Sequence, residues 1–226
     1  MSIVVVVAAH PDDEVLGCGG TIAAHVANGD RVFPIFLADG VTSRQADNAD
    51  ALVTARQGAA KSAARALGCE PPRFLGFADN RLDEHPLLDV VQSLERELAP
   101  LDAEVIYTHH SGDLNVDHRV AHQAVLTACR PLPRSCLRTI RTFEVPSSTE
   151  WGAQADPGFR PNCFVDISPF MGIKQLALAC YGAELRPFPH PRSDKALEAL
   201  SQWRGACVGM VAAEAFQVER ELWFPG

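Results

Sequence analysis

No CxxC pair occurs among the seven cysteines of this 226-residue chain (Cys18, Cys69, Cys129, Cys136, Cys163, Cys180 and Cys207). They are scattered and odd in number, and Cys129 and Cys207 stand in apolar helical contexts, so they read as buried, reduced thiols. A zinc–thiolate site is disfavoured, and a cytoplasmic, reducing compartment is expected. A basic cluster is missing too. The formal net charge of −8 argues against general affinity for nucleic acid or anionic membrane, and leaves a small anionic ligand open. No stretch is apolar for long enough to span a bilayer, so an integral membrane protein is not expected. The N-terminal apolar run is too short, and lacks the basic flank, for a signal peptide. Repeats, low-complexity tracts and an interdomain linker are absent, so residues 1–226 are expected to form one domain.

What is present begins with Ile3-Val4-Val5-Val6-Val7-Ala8-Ala9, an unbroken apolar run that predicts a strand buried on both faces. Further strands are predicted at 31–38, 73–77, 104–108, 138–145 and 162–167. Pro34 suggests an irregularity or an edge position in the second. Helices are predicted at 21–28, at 51–67, from Pro86 at its first position, through Ala128, from a Ser168 cap to 181, and at 194–213. Loops are expected at 39–50, 78–85 and 146–161. The strand–helix rhythm gives an α/β class: a Rossmann-like three-layer sandwich with a mostly parallel sheet. Residues 1–130 are its core and 131–226 a less regular C-terminal part.

Directly after the first strand stand His10-Pro11-Asp12-Asp13-Glu14, at the sheet end where open α/β folds bind ligands. One imidazole and three carboxylates buried there would be costly without a cation. His10 and Asp13 lie three apart in a turn, and His118 follows the fourth strand. Two imidazoles and one carboxylate leave a fourth position for water, as in catalytic zinc sites. Asp12, beside Asp13, is placed to be a general base. Gly17-Cys18-Gly19-Gly20 matches neither GxGxxG nor a P-loop, and its glycines point to close helix–strand packing. His118 and His122 are four apart, but Arg119 stands where HExxH needs glutamate, so His122 reads as structural.

AHPDDE after a first strand, with DLNVDH downstream, resembles the LmbE/PIG-L superfamily of zinc-dependent N-acetylglucosaminyl de-N-acetylases, with good register up to about Ala128. The resemblance implies one Zn2+ per chain (other divalent ions substituting), with His10, Asp13 and His118 as ligands and Asp12 as base. It implies Asp117 and Glu14 behind the metal, Arg56 at the substrate although Ala59 replaces a frequent glutamate, and Asp79 at sugar hydroxyls. One departure matters: Asn115 stands where many relatives carry a histidine that assists the oxyanion or leaving amine. Asparagine cannot deliver a proton, and a helix N-cap explains it equally well. Asp12 then acts as base and acid, with His190 the favoured helper over His109 and His110.

The segment 184–193 (ELRPFPHPRS) is either a plain connection or subunit contact, or a lid with Phe188 against a sugar face and Arg186 toward an anionic group. The implied substrate is an N-acetylamino sugar, free or nucleotide- or lipid-linked. FADNRLD, GDLNVDH and ELRPFPHPRS resemble bacterial members tied to lipopolysaccharide or other surface glycans. A thiol-cofactor or antibiotic precursor is the alternative substrate. Rival classes are a non-haem iron oxygenase, which an α/β chain disfavours, and a non-catalytic sugar or nucleotide binder. Relatives are often oligomeric, and a homo-oligomer is an open expectation.

Overall fold

A computed structural model of the chain describes residues 1–43, 48–133, 135–152 and 158–223; parts of two expected loops, 44–47 and 153–157, lie outside the described residues. Among the described residues seven strands form one sheet: β1 (Ile3–Ala8), β2 (Arg31–Ala38), β3 (Arg73–Phe77), β4 (Val105–His109), β5 (Thr139–Phe143), β6 (Cys163–Asp166) and β7 (Ala213–Glu221). Their order is β3-β2-β1-β4-β5-β7-β6. β1 to β5 pair in parallel, and β7 runs antiparallel between β5 and β6. The α/β class and the mostly parallel sheet are as expected.

β1 holds the centre because its side chains serve both faces. Val4, Val6 and Ala8 pack on one side with α1 (Asp13–Ala27), α2 (Ala49–Leu67), α5 (Met171–Cys180) and α6 (Asp194–Ala206). Val5, Val7 and Ala9 pack on the other with α3 (Leu87–Leu98) and α4 (Val116–Ala128). Val4 to Val7 are fully buried, each burial contributing roughly 1.5–3 kcal/mol. Pro34 is no edge residue: it sits opposite Val6 in an interior strand, one position before pairing with β3 begins at Ile35. A missing N–H costs little there.

Three boundaries correct the sequence expectation, the smallest being that Ser168 opens a 3-10 turn ahead of α5 and does not cap that helix. Helix α1 starts at Asp13, not at 21, and breaks at Cys18 (φ −148°, ψ 24°). The amides freed by the break, Gly20 N and Thr21 N, donate to Glu214 of β7 at 2.9 and 2.7 Å, and Lys174 joins Glu214 at 2.6 Å. The glycines here do allow close packing: a Cβ on Gly17 would overlap the Phe143 ring, and one on Gly20 would lie 2.7 Å from Ile167. The third correction is β7. The final helix ends at Ala206 rather than 213, the chain turns at Gly209 (φ +77°), and a strand follows. The apolar run 207–213 mimics a helix continuation, which masked that stop.

Candidate metal centre

The first turn after β1 is built around one carboxylate. Asp13 Oδ2 accepts the His10 amide at 2.9 Å and lies 3.3 Å from both His10 Nδ1 and His118 Nε2. The three side chains are buried and offer ligand atoms within 4.8 Å of one another. Asp13 Oδ1 is buried with no hydrogen-bond partner. A sequestered carboxylate oxygen without a donor is costly, and a cation bound by the Asp13 carboxylate and the two imidazoles would offset that cost. The donor set, two nitrogens and one oxygen, suits zinc.

Each imidazole turns its far nitrogen to another carboxylate, as metal-binding histidines do. His10 Nε2 lies 2.9 Å from Asp117 and 3.0 Å from Asp79. Asp117 is fixed in turn by the Asn80 and Leu82 amides at 2.7 and 3.0 Å. His118 Nδ1 lies 3.1 Å from Asp113 Oδ1. Asp113 accepts the Ser148 hydroxyl, and that of Thr149 at 2.6 Å. Burial opposes a charged His118, yet the neighbouring Asp13 and Asp113 carry it up to about 9. His10 is likewise raised against its burial, by bonds to Asp117, Asp13 and Asp79. The field that favours protons on these rings also favours a cation.

Asp12, next to Asp13 in the turn, has φ 125°, ψ −29°, a backbone region rare for a non-glycine residue. Its amide donates to Glu14 Oε2 at 2.9 Å, and Tyr181 Oη donates to Glu14 Oε1 at 2.6 Å. Burial pushes the Glu14 carboxyl up to about 8. Burial also raises Asp12, with the Arg192 guanidinium pulling it back. Asp12 Oδ2 takes Arg192 Nη1 at 2.9 Å and Arg56 Nη1 at 3.2 Å.

Several expected site residues are engaged by partners within the protein. Arg56, expected at the substrate, is buried and directed at protein oxygens: Pro11 O, Gly40 O, Asp12 and Glu184. Asp79, expected at sugar hydroxyls, is buried against His10 and takes the Ser43 hydroxyl. Asn115 is the N-cap of α4, accepting the Asp117 amide at 2.8 Å while its Nδ2 donates to Asn80 at 3.1 Å. His190 turns Nδ1 to the Arg192 amide and its ring edge-on to Trp151. Arg186 donates to Ala183 O and Leu185 O, and Phe188 is exposed beneath Lys195. The 184–193 segment does reach the centre, but through Glu184 and Arg192. His109 stacks on His118 at 3.9 Å and accepts the Ala9 amide on Nε2; burial holds it well below the ordinary histidine range. His110 is buried with its ring edge-on to Phe159, and His122 faces Glu219.

Sequence reasoning missed Asp113, Tyr181, Glu184 and Arg192 as parts of the centre. Asp113 alone carried a local signal, five residues before His118 in the same loop; the others arrive from the far C-terminal part.

Residues 5–129 match the family described as PIG-L, GlcNAc-PI de-N-acetylase. The chain is 30% identical to the uncharacterized deacetylase YaiS of Escherichia coli K12, over 77% of this chain and 88% of that protein. It is also 30% identical to a 1D-myo-inositol 2-acetamido-2-deoxy-alpha-D-glucopyranoside deacetylase of Saccharopolyspora erythraea, over 79% of this chain and 76% of that one. Among solved structures, the 4-carboxy-2-hydroxymuconate hydratase GalB of Pseudomonas putida KT2440 shares the fold. Its TM-score is 0.81 at 21% identity, covering 100% of this chain and 99% of GalB.

Proposed function

The chain belongs to the PIG-L family of de-N-acetylases, and from that membership we propose that it is a zinc-dependent hydrolase of an N-acetylated amino sugar in bacterial surface-glycan synthesis. The observation that carries the zinc site is the buried Asp13 carboxylate, with Oδ2 3.3 Å from both His10 and His118 and Oδ1 without a partner. Held by these three side chains, zinc would lower the pKa of a water to roughly 7 and polarise an amide carbonyl.

The chain's own residues supply the proton work. Asp12, beside the three ligands, takes the proton of the attacking water as oxygen bonds to the carbonyl carbon. When the C–N bond breaks, the same carboxyl returns a proton to the nitrogen, and acetate and a free amine leave. Asp117 and Asp113 hold the two imidazoles in orientation. Asn115 serves α4 as its cap and takes no part in proton transfer, so the reaction runs without the family's second histidine. His190, two residues from Arg192, assists through the placement of that arginine.

The surface-glycan assignment draws on the likeness of FADNRLD, GDLNVDH and ELRPFPHPRS to bacterial members of that type. A small glycoside conjugate is the second reading, favoured by 30% identity to the inositol glycoside deacetylase. A cytoplasmic location accords with seven free cysteines, and among the described residues no helix is long and apolar enough to cross a membrane.

The test is acetate release by the zinc-loaded protein across free, inositol-linked, nucleotide-linked and lipid-linked N-acetylamino sugars. Fastest turnover of a lipid- or nucleotide-linked sugar supports the proposal, and fastest turnover of the inositol glycoside supports the second reading. No acetate from any of them, with hydration of an unsaturated dicarboxylic acid of the GalB type, would refute both.

A further inference from the structure

Two guanidiniums meet on one oxygen of Asp12, and they arrive by different routes. Arg56 comes from α2, buried, with its other donors spent on Pro11 O, Gly40 O and Glu184. Arg192 comes from the 184–193 segment with its side chain 21% exposed. Its Nη1 reaches Asp12 Oδ2 at 2.9 Å, while its Nε donates to Ser147 Oγ at 2.7 Å. Ser147 is itself in a left-handed conformation, φ +69°. Glu150 holds that turn by accepting the Ser147 and Ser148 amides at 2.7 and 3.2 Å. Asp12, at the other end of the guanidinium, has φ 125°. Strained residues persist where their surroundings over-determine them, and they cluster at functional sites. Here two of them bracket a single arginine.

We infer that Arg192 is a positioning residue for Asp12. Together with Arg56 it pins Oδ2, so that Oδ1 is the oxygen left to take the proton, and it couples the 184–193 segment to the reaction. The planar guanidinium is needed because two donors of fixed relative direction serve two acceptors at once; an ammonium is a single point charge. The inference rests on Asp12 being the base.

The test compares wild type with Arg192→Ala, Arg192→Lys and Ser147→Ala, reading kcat, KM, zinc content and the crystal structure of each. A misplaced catalytic group costs about 10²-fold, so R192A is expected to lose about that in kcat, with KM within about threefold and zinc unchanged. R192K should stay impaired although it keeps the charge. Guanidinium ion at low millimolar concentration should restore part of the R192A turnover. S147A should shift kcat in the same direction by less. In the R192A crystal structure the Asp12 carboxylate should leave its wild-type rotamer. A raised KM with unchanged kcat would instead make Arg192 a substrate contact and overturn the inference. So would an Asp12 side chain that stays in place without it. Wild-type protein inactive on every N-acetylamino sugar would refute the proposed function, and the R192A structure would still decide whether Arg192 places Asp12. Should R192A not fold, the kcat and Asp12 rotamer of R192K decide the matter.

Discussion

Replacing Asp113 by asparagine removes one negative charge and almost no volume from behind His118. In the native protein Asp113 Oδ1 lies 3.1 Å from His118 Nδ1. Its carboxylate also accepts the Ser148 and Thr149 hydroxyls, and the Asn115 amide at 2.9 Å. Asparagine keeps one carbonyl oxygen for the imidazole, and rotatable hydroxyls can accept from its amide, so the loop geometry should survive. What is lost is the charge that makes His118 Nε2 a stronger donor to metal. Losses of such outer partners weaken metal binding about 10–100-fold, which is about 1.4–2.7 kcal/mol. Competition with a fluorescent zinc chelator at fixed pH reads this directly, with H118A as the control for ligand loss. If D113N binds zinc within about twofold of wild type while H118A loses it, Asp113 does not tune His118 and the reasoning fails. Asp113→Ala is the coarser variant, because it strands four partners at once (His118, Ser148, Thr149 and the Asn115 amide) and costs fold stability as well.

Asp12→Asn should keep zinc and lose about 10²–10⁴-fold in kcat; near-normal acetate release by the zinc-loaded variant would remove Asp12 as the base. Gly20→Val forces branched carbons into Ile167, so thermal or urea unfolding should show a loss of about 1–3 kcal/mol, and an unchanged melting curve would contradict the packing described. Burial pushes the Cys69 and Cys129 thiols up to about 12, whereas Cys136 is exposed and so, against the sequence expectation, is Cys207, which follows the end of α6. Brief alkylation of native protein at pH 8, read by mass spectrometry, should therefore label Cys136 and Cys207 and spare Cys69 and Cys129; the reverse pattern would refute the burial assigned to them.

The sheet was legible where each strand carried its own signal. Ile3 to Ala9 is apolar without interruption because β1 is covered on both faces, and the turn after it holds His10, Asp12 and Asp13 within four residues. His118 was legible for the same reason, since it follows β4 at the same sheet end. β7 was not, because it inserts antiparallel between β5 and β6 after an apolar turn at 207–212. Its Glu214, which holds the broken α1 together, has no local pattern to reveal it. The partners of Asp12 were hidden by distance along the chain: Arg192 lies 180 positions away, and its neighbour Arg186 offered the same guanidinium in the same loop. Arg56 was noticed, but an arginine one helix away from an acidic turn looks alike whether it meets substrate or a buried carboxylate. Long-range pairing decided which.

X-ray absorption spectroscopy of the zinc-loaded wild-type protein addresses the centre most directly. The expected spectrum is that of one zinc per chain, with two imidazole nitrogens at about 2.0–2.1 Å and carboxylate or water oxygens at about 2.0–2.2 Å. His118→Ala should lose one of the two imidazoles. Sulfur scatterers at about 2.3 Å, or an H118A spectrum identical to wild type, would contradict a centre built from His10, Asp13 and His118.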